Sequence, residues 1–319
     1  MIKKLTALML VLIIAVTGLC ACGDTGEKND KIQIVCTVFP YYDWVRNLTK
    51  GVEDVSVTLL LDSGTDLHSY QPAAADIIKI TSSDIFIYTD GTSDKWVADV
   101  LKTSANDSSV LLPMMTNLPE ESLFCVEAIG EEEHDHGEEE HNHAADEHIW
   151  LSIKNAMALC EIIKNVLCDI DPDNCEIYKS NFTGYYTELE ALHRAYETTF
   201  SECQKNTVVF ADRFPFIYLV NDYGLSYHAA FSGCSAESEA SFETVKSLAG
   251  EIDSLGLSAI LITETSDGSV ANTVKDSTKD KNQEILVLNA LQSVTRDKLA
   301  DSYIDVMTDN LTILKKALS

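Results

Sequence analysis

The chain has 319 residues, 45% of them hydrophobic, and a formal net charge of −28 at neutral pH. This length and apolar content are sufficient for two domains with separate cores. Such an acidic chain repels nucleic acid and anionic lipid but attracts cations, which excludes nucleic-acid binding and any membrane role that rests on charge.

The N-terminus predicts a secretory leader. Two lysines precede an apolar run from Leu5 to Val16, which is too short to span a membrane. The following Leu-Cys-Ala-Cys, residues 19–22, resembles the lipobox of bacterial lipoproteins, in which a lipidated cysteine follows the cleavage point. We therefore expect a signal peptide over 1–21, a lipid on Cys22 and a polar tether over 22–31. The protein would then be extracytoplasmic and anchored to the outer face of the cell membrane.

Short β-rich runs alternate with helical runs after the tether. This alternation predicts an α/β lobe with a mainly parallel sheet covered by helices on both faces. We assign it to residues 32–170. The predicted strands are 31–39, 52–61, 84–90 and 108–114, and the predicted helices are 41–49, 73–83 and 94–103.

An acidic, low-complexity segment, residues 131–147, is inserted in this lobe. Imidazole and carboxylate side chains suit divalent transition metals, but such a segment cannot form a core. We interpret it as a mobile loop that collects metal loosely. The alternative is a solvated acidic loop in which the histidines are incidental. The four histidines concerned are His134, His136, His141 and His143.

A single apolar stripe then predicts one unusually long helix over 171–204. Tyr178, Tyr185 and Tyr196 are among the residues that recur at helical spacing. Asp171 is a suitable N-cap and Pro172 occupies the first turn.

The strand and helix alternation resumes over 205–319 and predicts a second α/β lobe. Two such lobes, joined by the long helix, would share a cleft at the carboxyl ends of their strands, where ligands of open α/β sheets bind. The predicted strands are 206–212, 225–231, 257–264 and 283–289, and the predicted helices are 215–224, 241–256, 269–278 and 296–318.

The cysteines do not predict a zinc module of four thiolates. None has the Cys-x-x-Cys spacing of such modules. Export permits disulfides, but an odd number follows Cys22, so at least one stays unpaired. We interpret most of these cysteines as small buried hydrophobic residues. The seven are Cys36, Cys125, Cys160, Cys168, Cys175, Cys203 and Cys234.

Two further stretches and the whole pattern resemble one family, the metal-specific substrate-binding lipoproteins of bacterial ABC importers for zinc and manganese. Family members have Gly-x-Asp-Pro-His-x-Tyr-x-Pro, which matches residues 64–72 with Leu67 in place of the first proline. They also have Asp-Pro-His-x-Trp-Leu after a histidine-rich loop, which matches residues 146–151 with Glu147 in place of the proline, and a similar terminal helix. The resemblance implies a metal cleft between the lobes with His68 and His148 as ligands from the N-terminal lobe. It also implies a monomer that serves an ABC permease and its ATPase.

The ligands that the family takes from its C-terminal lobe are missing here. The position of the usual third ligand is Ala211, and Asn289 and Gln292 stand where the fourth, an acidic residue, is expected. Amides are poor zinc ligands. We predict Asp212 and Glu239 as replacements.

Other readings of these C-lobe residues stay open. Asp212 could simply pair with Arg213, and Glu239 could favour the first turn of the next helix by its charge. Glu237 and Cys234 are further candidates near Glu239. We interpret His193 and His228 as structural histidines and not as metal ligands.

Histidine nitrogen suits zinc and carboxylate oxygen suits manganese, so two histidines with one or two carboxylates fit either metal. The histidine-rich loop favours zinc over manganese as the bound metal. Two other functions compete. A lipid-anchored adhesin, or a metal buffer without a transporter, would have the same ligands. A metallohydrolase needs an open metal position and a nearby base, but the chain lacks the usual hydrolase motifs. We therefore expect a binding protein and no enzyme.

Overall fold

The computed structural model describes residues 31–102, 108–125, 145–231, 233 and 240–319. The predicted leader, residues 22–30 of the tether with Cys22, and residues 131–144 of the acidic loop with its four histidines lie outside these residues. So do Cys234, Glu237 and Glu239.

Two four-stranded sheets form the two lobes, and every strand pair in both sheets is parallel. The strand orders are β2-β1-β3-β4 and β6-β5-β7-β8, so the lobes repeat one topology. This confirms the predicted α/β fold. The strands are β1 (Ile32–Cys36), β2 (Val55–Leu59), β3 (Ile85–Tyr88), β4 (Val110–Pro113), β5 (Thr207–Phe210), β6 (Ser226–Ala229), β7 (Ala259–Thr263) and β8 (Glu284–Leu288).

Helices cover the sheets and connect the lobes. The described helices are α1 (Phe39–Leu48), α2 (Ala74–Thr81), α3 (Val97–Leu101), α4 (Ile153–Ile170), α5 (Cys175–Glu202), α6 (Ile217–Asp222), α7 (Phe242–Leu255), α8 (Ser269–Ser277) and α9 (Tyr303–Ala317). The last begins at Tyr303 and not at residue 296 as predicted, because Ser302 and Asp305 form a capping box there.

The predicted long helix is α5, with 28 residues. It contacts both lobes, since Asn181 donates to the carbonyl of Leu48 at 2.9 Å and the Tyr196 hydroxyl donates to that of Met307 at 2.6 Å. The predicted cap is wrong in detail. Asp171 precedes a separate 3-10 turn, and its carboxylate accepts hydrogen bonds from side chains instead of from the helix backbone.

The hairpin between α4 and α5 is closed by a disulfide between Cys168 and Cys175. Among the described cysteines, Cys125 is exposed and Cys203 is half-buried, so the expectation that most are small buried hydrophobes is wrong. Cys36 and Cys160 are buried free thiols. Burial raises the pKa of both thiols well above the usual value, so they are inert as nucleophiles.

The lobes also meet directly, along a seam beside the cleft. The Gly64 N–H donates to the Val294 carbonyl at 3.0 Å, and the Ser293 hydroxyl donates to the Gly64 carbonyl at 2.7 Å. Gly64 has a φ of +74°, and a Cβ there would lie 2.8 Å from Thr295 Cγ2. Glycine is therefore strongly favoured at this contact between the lobes.

Candidate metal centre

The same kind of local turn positions both predicted histidines. His68 lies in a 3-10 turn, Leu67–Ser69, shortly after β2, and His148 immediately precedes another 3-10 turn, Ile149–Leu151. An aspartate stands two residues before each histidine, and its Oδ1 accepts the histidine backbone N–H at 2.9 Å in both cases. These Asx turns fix the two backbones on the cleft side of the N-terminal lobe.

The structure brings the two imidazoles together. Their ring centroids are 5.4 Å apart. His148 is fully buried, and its Nδ1 lies 2.8 Å from Asp146 Oδ1. A carboxylate on one ring nitrogen orients the imidazole and leaves the other nitrogen, Nε2, as the one that could bind a metal.

His68 is oriented in the same way by a buried carboxylate. Its Nδ1 lies 2.7 Å from Ser93 Oγ and 3.2 Å from Glu147 Oε1. The hydroxyls of Thr92 and Ser93 and the Ser93 N–H donate to the Glu147 carboxylate at 2.8 to 3.0 Å. Nε2 of His68 is therefore the nitrogen presented for a metal.

Opposing effects act on the pKa of Glu147. Burial by itself raises it, but the hydrogen bond with His68, the charges of His148 and His68 when protonated, and the Ser93 N–H together lower it to about 2. Glu147 is thus an anion that holds His68 and was not predicted as a site residue from the sequence. Its position beside His148 in the motif was the available signal.

One C-lobe residue contacts His148, and a second interacts with it electrostatically. Gln292, which is 3% exposed, places its Oε1 3.0 Å from His148 Nε2. Glu264 follows β7, and its Oε2 accepts the Ala290 N–H at 2.8 Å. Its Oε1 is buried without a hydrogen-bond partner among the described residues. Burial raises the pKa of Glu264, while backbone N–H groups and the nearby His148 oppose that rise.

Glu264 was missed by sequence reasoning, although it stands at the carboxyl end of a predicted C-lobe strand. Gln292 was noted only as an unsuitable replacement for a ligand. The structure shows that it is nevertheless a C-lobe side chain in contact with Nε2 of His148.

Asp212 lies at the end of β5, as predicted, but its oxygens are engaged within its own lobe. Oδ2 accepts from the Thr263 N–H at 2.9 Å and from its hydroxyl at 2.7 Å, and Oδ1 accepts from the Arg213 N–H. Arg213 itself reaches Asp66 of the other lobe, at 3.6 Å. Ligation by Asp212 stays a prediction, and so does ligation by Glu239.

The remaining predicted residues are not brought to the histidine pair. His193 lies 2.9 Å from the Tyr223 hydroxyl, and His228 lies 3.8 Å from Glu251 on the outside of the C-terminal lobe. The Asn289 side chain accepts the Leu291 N–H. Within the described ranges, no three His, Cys, Asp or Glu side chains converge to hold a metal ion.

A cavity of about 660 Å³ lies behind the turn that carries Gln292. It is lined by Glu264, by Asn289 and Leu291 of the turn, and by one face of α9. Neither His68 nor His148 lines it, so this cavity is distinct from the candidate metal centre. In the part of the chain that the structure describes, no helix has the length and apolar content to cross a membrane.

Comparison with known proteins places these features in one family. The sequence profile described as "Zinc-uptake complex component A periplasmic" matches residues 34–317. The zinc-binding lipoprotein AdcA of Streptococcus pneumoniae serotype 4 is 32% identical over 312 residues, which cover 93% of this chain and 58% of that protein. The chain thus spans little more than half the length of this relative.

A second relative matches over its full length. The high-affinity zinc uptake system protein ZnuA of Bacillus subtilis is 30% identical over 329 residues, covering 100% of this chain and 99% of that protein. Among solved structures, the Zn(II)-bound ZnuA-like domain of Streptococcus pneumoniae AdcA superposes with a TM-score of 0.71 at 27% identity, covering 90% of this chain and 99% of that domain.

Proposed function

This chain belongs to the family of the periplasmic zinc-uptake complex component A, and we propose that it captures Zn²⁺ outside the cytoplasm and delivers it to an ABC permease. The observation that carries the proposal is the pair of carboxylate-anchored imidazoles, with His148 buried, His68 half-buried and the ring centroids 5.4 Å apart.

The donor set favours zinc over manganese. Two imidazole nitrogens are typical zinc ligands, whereas manganese prefers carboxylate oxygen. The carboxylates of Asp146 and Glu147 lie behind the rings, where they orient them, and do not face the metal position.

The same arrangement supports binding without catalysis. A metal-dependent hydrolase needs a base beside the metal. Both N-lobe carboxylates at this site are engaged, Asp146 with His148 and Glu147 with Ser93 and His68. The relatives are named for zinc binding and zinc uptake, in agreement with a transport role.

Titration calorimetry with zinc tests the site. The wild-type protein is expected to show one tight site and several weak ones. His68→Ala and His148→Ala should abolish the tight site, while deletion of 131–143 should remove only the weak ones. His193→Ala is the matched control, because this half-buried histidine contacts Tyr223 away from the cleft. Loss of tight binding in the loop deletion alone would contradict the division between loop and site.

Membrane attachment and the permease complete the proposal. Cys22 carries the lipid, so Cys22→Ser should release the protein from the membrane fraction. The zinc-loaded monomer docks on the permease, so it should stimulate the ATPase of that importer in proteoliposomes more than the metal-free protein does. An absence of stimulation would favour a metal buffer or adhesin.

A further inference from the structure

An ion pair between the lobes lies directly beside the turn that carries His68. Arg213 of the C-terminal lobe places its Nη2 3.6 Å from Oδ2 of Asp66. The other carboxylate oxygen of Asp66, Oδ1, accepts the His68 backbone N–H at 2.9 Å. One side chain, that of Asp66, therefore separates the positive charge of Arg213 from the backbone of a candidate metal ligand.

Arg213 compensates a carboxylate oxygen that has little other support. Oδ2 of Asp66 is buried without a hydrogen-bond partner among the described residues. Both side chains of the pair are half-buried, with 27% of Arg213 and 17% of Asp66 exposed. Solvent screens charges at that depth less than charges on the open surface. The two charges therefore act on the adjoining cleft.

The end of β5 fixes Arg213 in this place. The preceding residue, Asp212, accepts the Arg213 N–H with Oδ1 at 2.8 Å and two hydrogen bonds from Thr263 with Oδ2. Asp212 is thus engaged within its own lobe, and the Arg213 guanidinium reaches across to the other lobe. Ala211, at the position where the resemblance implies a third ligand, is two residues before Arg213. The C-terminal lobe therefore presents a cation next to the place where a ligand is expected.

The turn at His68 has other contacts that hold its shape. The Gly64 N–H donates to the Val294 carbonyl at 3.0 Å, and this contact does not involve Arg213. The Asx turn itself is closed by Oδ1 of Asp66, which is not the oxygen that faces the guanidinium. Removal of the guanidinium therefore changes the charge beside His68 more than the position of its backbone.

We propose that Arg213 lowers the affinity of the site for its metal, so that the ion can be released. Its charge repels the bound ion and cancels the attraction that Asp66 exerts on it. This inference rests on the proposed function, because a carrier must give up its metal to the permease. Arg213 and Asp66 carry opposite charges, so their removal should change zinc affinity in opposite directions.

Zinc affinities of Arg213→Gln and Asp66→Asn, measured by competition against a chelating dye, test these opposite signs. Arg213→Gln should bind zinc about tenfold more tightly and Asp66→Asn about tenfold more weakly, as expected for one charge in a partly screened site. The amide oxygen in Asp66→Asn can still accept the His68 N–H, so the Asx turn remains. The double variant, in which both charges are absent, should return to near the wild-type affinity. A purely structural ion pair predicts weaker binding in both single variants, and that result would overturn the inference.

Two further variants separate charge from packing. Arg213→Lys keeps the charge and should bind zinc within about twofold of the wild type. Arg296→Gln is the matched control, because Arg296 also pairs with an aspartate across the seam, Asp62 at 2.8 Å, but its side chain is 78% exposed. Solvent screens that pair, so zinc affinity should not change. If Arg213→Lys behaved like Arg213→Gln, the role assigned to the charge would be wrong.

Release kinetics test the consequence for transport. Approach of zinc depends on the field of the whole acidic chain, so one charge should alter the dissociation rate more than the association rate. In stopped-flow transfer to excess chelator, Arg213→Gln should release zinc more slowly than the wild type, and about 1 M salt should reduce the difference. Equal release rates at low salt would refute the proposal. If Arg213→Gln folds poorly, Arg213→Met takes its place with the same expected results. A failure of the proposed function is distinguishable, since the wild-type protein itself would then lack a tight zinc site that depends on His148.

Discussion

Gly91→Ala should disturb the candidate metal centre without changing a histidine. The backbone at Gly91 has φ −98° and ψ −169°, which alanine adopts without strain. The added Cβ, however, would lie 2.5 Å from both Cβ and Oε2 of Glu147. Glu147 is 4% exposed and bonded to Ser93, so it can move only by breaking those bonds.

The expected cost combines two effects. Overpacking of a filled site costs roughly 1–3 kcal/mol, and a lost hydrogen bond to a charged group costs roughly 1.5–3 kcal/mol. We expect Gly91→Ala to lower the free energy of unfolding by about 3 kcal/mol. Because Glu147 orients His68, zinc affinity should also fall, by about 10- to 100-fold as for other residues that orient a ligand.

Urea unfolding and zinc titration on the same preparations measure both effects. Gly184→Ala is the control, because Gly184 lies in the long helix α5 with no atom within 4 Å of an added Cβ. It should stabilise the protein by about 0.5–1 kcal/mol and leave zinc binding unchanged. If Gly91→Ala matched the wild type in both measurements, the role assigned to Glu147 would be wrong.

Three further predictions concern stability. Burial raises the pKa of Asp94 from 3.8 to about 6, so the native state holds its proton more tightly than the unfolded chain. The stabilisation that protonated Asp94 provides is therefore complete below about pH 4 and is lost as the pH rises to about 6. In Asp94→Asn, the free energy of unfolding measured with urea should lose this pH dependence, which amounts to about 3 kcal/mol. Loss of the Cys168–Cys175 disulfide by double serine substitution should cost about 2.5 kcal/mol in urea unfolding, with zinc affinity unchanged. Arg296→Ala removes an exposed ion pair with Asp62 across the lobe seam and should cost less than about 1 kcal/mol, an effect that 1 M salt should erase.

Local patterns in the sequence determined the elements of this protein. Alternation of β-rich and helical runs predicted both parallel sheets, and an apolar stripe at helical spacing predicted the long helix α5. His68 and His148 could also be found in the sequence, because each stands in a short motif whose aspartate folds the local turn. Such features depend on neighbours within a few residues, which a single sequence displays.

Long-range contacts decided the rest. The role of Glu147 depends on Ser93, 54 residues away, and the contact of Gln292 with His148 joins two lobes. No local pattern distinguishes Glu264, with its buried carboxylate, from an exposed glutamate such as Glu284 at the start of the next strand. Which side chain of the second lobe meets Nε2 of His148 is set by how the two lobes pack along the seam at Gly64 and Val294. Packing between distant segments leaves no periodic signal in the chain.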